Sequence, residues 1–187
     1  MTVIVLNLEP IAKELTHEQF YELCMANKDI AMERSPQGEL IIMPLVGEIG
    51  RDEARYVARL VVWNDQARLG EVFSSSTVFK LPKGDRSPDA VWVAQERWEA
   101  LTQDQQKKFP HLCPDFVFEL RSESDRLKPL QAKMQEYLDS GLRLGWLIDP
   151  QDQTVEIYRL GQEVEVLDLP TTHSGEDILP GFLMAVE

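Results

Sequence analysis

Three carboxylates and a Lys/Tyr pair are the residues of this chain best placed to do chemistry. Asp89 follows a proline in Ser87-Pro88-Asp89-Ala90-Val91-Trp92-Val93. Glu119 sits inside Phe116-Val117-Phe118-Glu119-Leu120-Arg121, and Glu48 lies upstream of both. A carboxylate on or beside an apolar strand is costly to bury without a partner. A divalent cation satisfies two or three carboxylates at once, and hard oxygen ligands on a sheet suit Mg²⁺ or Mn²⁺. The chemistry implied is metal-dependent phosphoryl transfer, with DNA phosphodiester hydrolysis leading. Strand alternation sends Glu119 and Arg121 to one face. Lys133 and Tyr137, four apart, share a face of the helix that follows. A metal held by Asp89 and Glu119 would lower the pKa of a bound water, and a nearby ammonium would offset the charge that builds up.

Each residue also has an ordinary structural reading. Asp89 can be a turn residue after Pro88, and Glu119 with Arg121 a plain ion pair. Lys133 and Tyr137 can be surface residues of an amphipathic helix. Glu48 can complement the N-terminal dipole of its helix, which the sequence pattern alone favours over metal ligation. It is their joint occurrence, in this order, that points to a site.

The elements that must position these residues are legible. Thr16 with Gln19 three residues on opens a helix to about Asn27. Ile30–Arg34 and Glu39–Met43 flank Ser35-Pro36-Gln37-Gly38 as a β-hairpin. A long amphipathic helix runs from Glu48 to Leu69 and is ended by Gly70. Strands are expected over Glu71–Phe73, Thr77–Leu81 and Asp89–Val93, with a Lys83-Gly84-Asp85 turn. The polar stretch 95–108 reads as a helical surface insertion. Phe116–Leu120 is a buried strand, Leu127–Ser140 a helix capped by Gly141, and Leu144–Ile148 an apolar central strand. Thr154–Tyr158 is its neighbour and Val164–Leu169 an edge strand. The segments Val164–Leu169 and Phe182–Val186 could serve either a core or an interface. Strands mixed with helices imply an α/β or α+β sheet protein, read as one domain over 1–187.

Composition bounds the function. The chain has 187 residues, 43% hydrophobic and 27% charged, as expected of a soluble globular protein. No stretch is long and apolar enough to span a bilayer, and Met1–Leu6 has no basic leader. Cys24, in an apolar helical stretch, and Cys113 form neither a disulfide framework nor a zinc site, so a reduced, cytoplasmic protein is the simplest expectation. The net charge of −13 argues against a nucleic-acid coat protein. It does not argue against a nuclease, whose acidic ligands are offset locally by metal.

The ordered set Ser87-Pro88-Asp89, Phe118-Glu119-Leu120-Arg121-Ser122, Lys133-Met134-Gln135-Glu136-Tyr137 and Gly145-Trp146-Leu147-Ile148-Asp149-Pro150 resembles the Uma-type putative restriction endonuclease family, of the PD-(D/E)XK nuclease superfamily. The hairpin at 30–43, Gly47-Glu48-Ile49-Gly50 and the tail from Gly175 to Phe182 share the likeness. The resemblance implies a restriction-endonuclease-like mixed sheet flanked by helices, with an N-terminal helix and β-hairpin. It implies a Mg²⁺-dependent site in which Asp89, Glu119 and Glu48 are the acidic ligands. Arg121 stands where the motif has lysine. Its guanidinium stays protonated and cannot act as a base, so Lys133 is expected to supply the ammonium and Arg121 to orient phosphate or water. The expected partner is DNA, cut by a homodimer with two symmetric sites. A catalytically silent nucleic-acid or protein-binding module of the same fold stays open, as does a phosphodiesterase for smaller phosphoesters.

Overall fold

The computed structural model describes residues 4–6, 15–43 and 47–186, with side chains over 15–43 and 50–186. The Glu48 side chain and most of the N-terminal segment therefore lie outside the described residues. β1 (Ile4–Leu6) precedes α1 (His17–Ala26), which starts where expected. The Thr16 hydroxyl accepts the Gln19 amide at 3.2 Å, and the Gln19 side chain accepts the Thr16 amide at 2.9 Å. The hairpin forms as β2 (Ala31–Arg34) and β3 (Leu40–Met43), closed through Gly38 at φ 78°.

α2 spans Gly47–Ala67 and β4 spans Gly70–Ser74. The helix ends earlier than expected, and not by glycine. Arg68 takes the left-handed turn at φ 53°, its amide on the Asn64 carbonyl at 2.6 Å. Gly70 serves packing instead: a Cβ there would lie 2.1 Å from the Val93 carbonyl oxygen and 2.6 Å from the Trp92 ring. Asn64 ties the helix end to the sheet, donating to the Gly70 carbonyl at 2.7 Å and accepting Trp92 Nε1–H at 2.9 Å.

The strand expected over 77–81 shrinks to β5 (Phe79–Lys80), and the 83–85 turn runs directly into β6 (Asp85–Arg86). β7 (Ala90–Ala94) follows Asp89. The polar insertion is two short helices, α3 (Gln95–Glu99) and α4 (Gln103–Lys107), the second boxed by Thr102 and Gln105. β8 (Phe116–Leu120), α5 (Leu127–Asp139) and β9 (Leu144–Asp149) form one crossover, with Gly141 at φ 101° after the helix. β10 (Thr154–Arg159), β11 (Glu165–Asp168), β12 (Thr171–Ser174) and β13 (Leu183–Val186) complete the chain.

Six strands form the main sheet in the order β11-β10-β9-β8-β7-β4, antiparallel except for the β8–β9 pair. A second sheet has the order β1-β3-β2-β6-β5, and β12 pairs with β13. Alternation along β7 and β8 sorts the core. Ala90, Trp92, Phe116 and Phe118 pack with Leu60 of α2 and with Phe182, Met184 and Val186. Val91, Val93 and Val117 pack with Met134 and Tyr137 of α5 and with Phe79. The 182–186 segment therefore contributes to the core through three of its residues, while Leu183 is 68% exposed. No helix among the described residues is long and apolar enough to cross a membrane. Cys113 is buried and Cys24 half-buried, and burial pushes their thiols up to about 12 and about 11.

Gly70→Ala should destabilise the protein by roughly 1–3 kcal/mol or more, because the new methyl must displace backbone rather than a flexible side chain. Urea unfolding checks this. A neutral substitution would show that the Gly70–Val93 approach is not tight.

Candidate active site

Ser87 is the most restrained residue of the motif. Its amide donates to Glu33 Oε1 at 2.8 Å, and its hydroxyl donates to the carbonyls of Ser75 at 2.5 Å and Thr77 at 3.2 Å. Pro88 then delivers Asp89 to the mouth of β7. The pairing of Ala90 with Phe118 continues one step to set position 89 across from 119, and the Leu120 amide donates to Asp89 Oδ2 at 2.7 Å. Both positions fall on the α5 side of the sheet, in step with Val91, Val93 and Val117.

Glu119 is 3% exposed. Its Oε1 accepts the Tyr137 hydroxyl at 2.9 Å and lies 2.8 Å from Lys133 Nζ, which also reaches Oε2 at 3.1 Å. Spacing by four on α5 is what lets both side chains meet one carboxylate. Lys133 Nζ lies 2.9 Å from Glu33 Oε1 as well. Arg86 bonds Glu33 Oε2 at 3.0 Å and grips Glu136 Oε2 through Nε and Nη2 at 2.8 and 2.6 Å. Glu136 Oε1 is buried with no partner among the described residues.

Burial, then the Glu119 charge, pushes the Asp89 carboxyl well above the usual carboxylate range, although Asp89 keeps part of its surface exposed. Burial and Glu33 push Glu119 up as well, against Lys133 and Tyr137. Burial would lower Lys133, but Glu119 and Glu33 outweigh it and hold the ammonium protonated. Burial would also raise Glu33, yet Lys133 and Arg86 keep it below the ordinary value. Tyr137 is raised by burial and by the same two glutamates, so it remains a phenol donor.

The structure thus brings Asp89, Glu119, Lys133 and Tyr137 together. Arg121 does not join them. The strand ends at Leu120, so alternation no longer directs residue 121, and fully buried Asp149 at the end of parallel β9 captures the guanidinium. Arg121 Nη1 donates to Asp149 Oδ2 at 2.6 Å and Asp152 Oδ2 at 2.8 Å, and Nε donates to the Asp125 carbonyl at 3.2 Å. Sequence reasoning missed Glu33, Arg86 and Glu136. The available signal was an unlike charge pair, Glu33-Arg34, inside an apolar hairpin. It also missed Glu53 of α2, which accepts the Ser75 hydroxyl at 2.5 Å and whose charge adds to the upward push on Asp89. Among the described residues no group of three or more His, Cys, Asp or Glu side chains is arranged to hold a metal ion.

Residues 17–187 match the model of the family Uma2, described as "Putative restriction endonuclease". The chain belongs to the Uma2 family. A solved structure titled as "a putative nuclease belonging to DUF820" from Anabaena variabilis ATCC 29413 shares the fold, with a TM-score of 0.72 and 22% identity over 82% of this chain and 86% of that one. No curated protein matches. The mixed sheet flanked by helices is thus the fold shared by a Uma2 chain and that structure.

Two stability predictions follow from the opposite settings of Asp89 and Arg121 in this Uma2 chain. The Asp89 carboxyl titrates higher in the folded than in the unfolded state, so stability is lost as pH rises through the folded value. Asp89→Asn removes that loss while retaining an acceptor for the Leu120 amide. In a chelator, the variant should melt above the parent at about pH 7–8, with the gain vanishing near pH 4, around the unperturbed value. A lower melting temperature at neutral pH would mark Asp89 as a structural ion-pair partner. Arg121→Ala should instead lower stability by roughly 1–3 kcal/mol in urea unfolding, since it leaves the buried Asp149 carboxylate with backbone partners alone.

Proposed function

We propose that this Uma2 protein is a Mg²⁺-dependent endonuclease hydrolysing DNA phosphodiester bonds. The observation that carries the reading is the pair Asp89 and Glu119, the first one step before β7 and across from the second on β8, with a buried, permanently charged Lys133 against Glu119.

The donor set fits a divalent cation. Lys133 and Arg86 serve three carboxylates, Glu119, Glu33 and Glu136, and Asp89 has no ion-pair partner among the described residues. Burial and then the Glu119 charge push Asp89 toward the protonated form, and burial and the Glu33 charge push Glu119 the same way, as expected of buried, clustered carboxylates. Asp89 Oδ2 is held by one amide, and no described residue donates to its Oδ1. Asp89 and Glu119 would hold the ion, with Glu48 from the first turn of α2 as a third ligand. Mn²⁺ suits the same oxygens. A bound Mg²⁺ supplies Lewis acidity toward a phosphate oxygen and acidifies a bound water. Lys133 keeps its proton, so its part is to balance negative charge beside Glu119. Tyr137 fixes the Glu119 carboxylate through Oε1. Arg121, anchored by Asp149 and Asp152, retains Nη2 for a phosphate oxygen. Two copies of the chain would cut the two strands of a duplex.

A second reading is favoured by one observation. Arg121, in the place of the motif's lysine, is spent on Asp149 and Asp152 rather than on the site. That arrangement suits a catalytically silent binding module of the same fold.

Plasmid cleavage and calorimetric titration with Mn²⁺ separate the two. On the nuclease reading, Asp89→Asn and Glu119→Gln lower Mg²⁺-dependent cleavage by about 100–1,000-fold or more, the scale of losing an essential electrostatic group. Lys133→Met lowers the rate with DNA affinity little changed. The Mn²⁺ heat disappears in Asp89→Asn. No metal heat and no cleavage in the parent protein would establish the silent module.

A further inference from the structure

Glu33 belongs to a different sheet from Asp89 and Glu119, and it touches the framework of both. It comes from β2, in the middle of the hairpin sheet. Glu33 is 2% exposed, and both of its carboxylate oxygens have protein partners. Oε1 accepts the Ser87 amide at 2.8 Å and lies 2.9 Å from Lys133 Nζ. Oε2 accepts Arg86 Nη1 at 3.0 Å.

We propose that Glu33 is a positioning residue of the active site, holding the Ser87-Pro88-Asp89 segment and the Lys133 ammonium at a fixed separation through one carboxylate oxygen. The proposal rests on the nuclease reading of the site.

The physical case is geometric. Ser87 is two residues from Asp89, and Pro88 between them has a locked φ, so fixing the Ser87 amide fixes the entry of Asp89 into β7. The Ser87 hydroxyl adds two contacts to backbone carbonyls of the segment between β4 and β5, and the amide needs a separate acceptor because it lies outside any strand pairing. A neutral acceptor would satisfy that amide. A carboxylate is needed because the same oxygen must face an ammonium, and the other oxygen a guanidinium, away from water. Glu119 alone would leave Lys133 drawn wholly to one carboxylate. With Glu33 on its other side, the ammonium is shared, and the Glu119 carboxylate stays less than fully neutralised and available to a cation. Outer groups of this kind hold and tune the groups that contact a metal or substrate.

The test compares Glu33→Gln, which retains shape and loses charge, with Glu33→Asp, which retains charge and is shorter by one methylene. Cleavage is measured well below the melting temperature of each variant, and amide exchange is followed by NMR. Glu33→Gln should lower kcat by about 10–100-fold, with KM for DNA within about twofold of the parent. Glu33→Asp should recover part of that loss. The Ser87 amide should exchange about tenfold faster in Glu33→Asp, whose shorter side chain gives up that hydrogen bond, and keep its rate in Glu33→Gln, whose amide oxygen still accepts it, while Trp146 and Leu147 in β9 keep their rates in both. Parental turnover in a folded Glu33→Gln protein would overturn the proposal. So would equal acceleration of Ser87 and the β9 amides, which marks general loosening. If the parent does not cleave DNA with Mg²⁺, the nuclease reading fails by itself, and Ser87 exchange relative to β9 decides the role of Glu33. If Glu33→Gln does not fold, Glu33→Asp carries both measurements.

Discussion

The Lys133 ammonium, shared between Glu33 and Glu119 out of water, is the interaction on which the rest of the molecule depends. Its two carboxylates come from different sheets, so the ion triad is a joint as well as a site component. Buried charges are costly unless each is paired and its remaining hydrogen-bonding positions are filled. Here Tyr137, the Ser87 amide and Arg86 fill them. The hairpin sheet, α5 and the strand β8 must therefore dock in one arrangement, because any slip strands a charge in the interior. Glu136 extends the network through Arg86, and the side of Gly84 is kept clear for it: a Cβ there would meet Glu136 Oε1 at 2.3 Å.

The main sheet adds the second constraint. β7 and β8 are buried on both faces, so their alternation sorts side chains between two cores rather than between core and water. Substituting a carboxylate at one place in that alternation is tolerable only where cations wait on the facing element. Asp89 lies at the mouth of β7 and Glu119 near the end of β8, where the sheet gives way to loops. α5 crosses back from β8 to parallel β9 and brings Lys133 and Tyr137 over Glu119. The strand order thus converts residues scattered between 89 and 137 into one cluster.

The excess of acidic residues also has a local meaning. Around Asp89, burial raises the carboxyls of Asp89 and Glu119, the Glu119 charge adding to the first and the Glu33 charge to the second. At the neighbouring strand end the balance is reversed, with Arg121 held between Asp149 and Asp152. These two settings lie at the ends of adjacent parallel strands, yet in one a carboxylate faces further carboxylates and in the other a guanidinium is shared between two of them.

The sequence alone determined the elements that depend on local chemistry. Thr16 with Gln19 boxed α1, Ser35–Gly38 turned the hairpin, and Gly141 followed α5, because caps and turns are decided by a few adjacent residues. Periodicity placed β8 and β9, and the ordered motifs pointed to the family and to Asp89, Glu119, Lys133 and Tyr137. Tertiary structure decided what depends on distant partners. Gly70 reads locally as a helix stop, but its reason is the approach of β7. Arg121 reads as a companion of Glu119 until Asp149 is seen across the strand end. Glu33 gives little sign of itself in a hairpin, because the amide and the two cations that demand a carboxylate there lie 53 residues and more along the chain, at Arg86, Ser87 and Lys133. Local rules see neighbours in sequence, whereas the cost of a buried charge is set by neighbours in space.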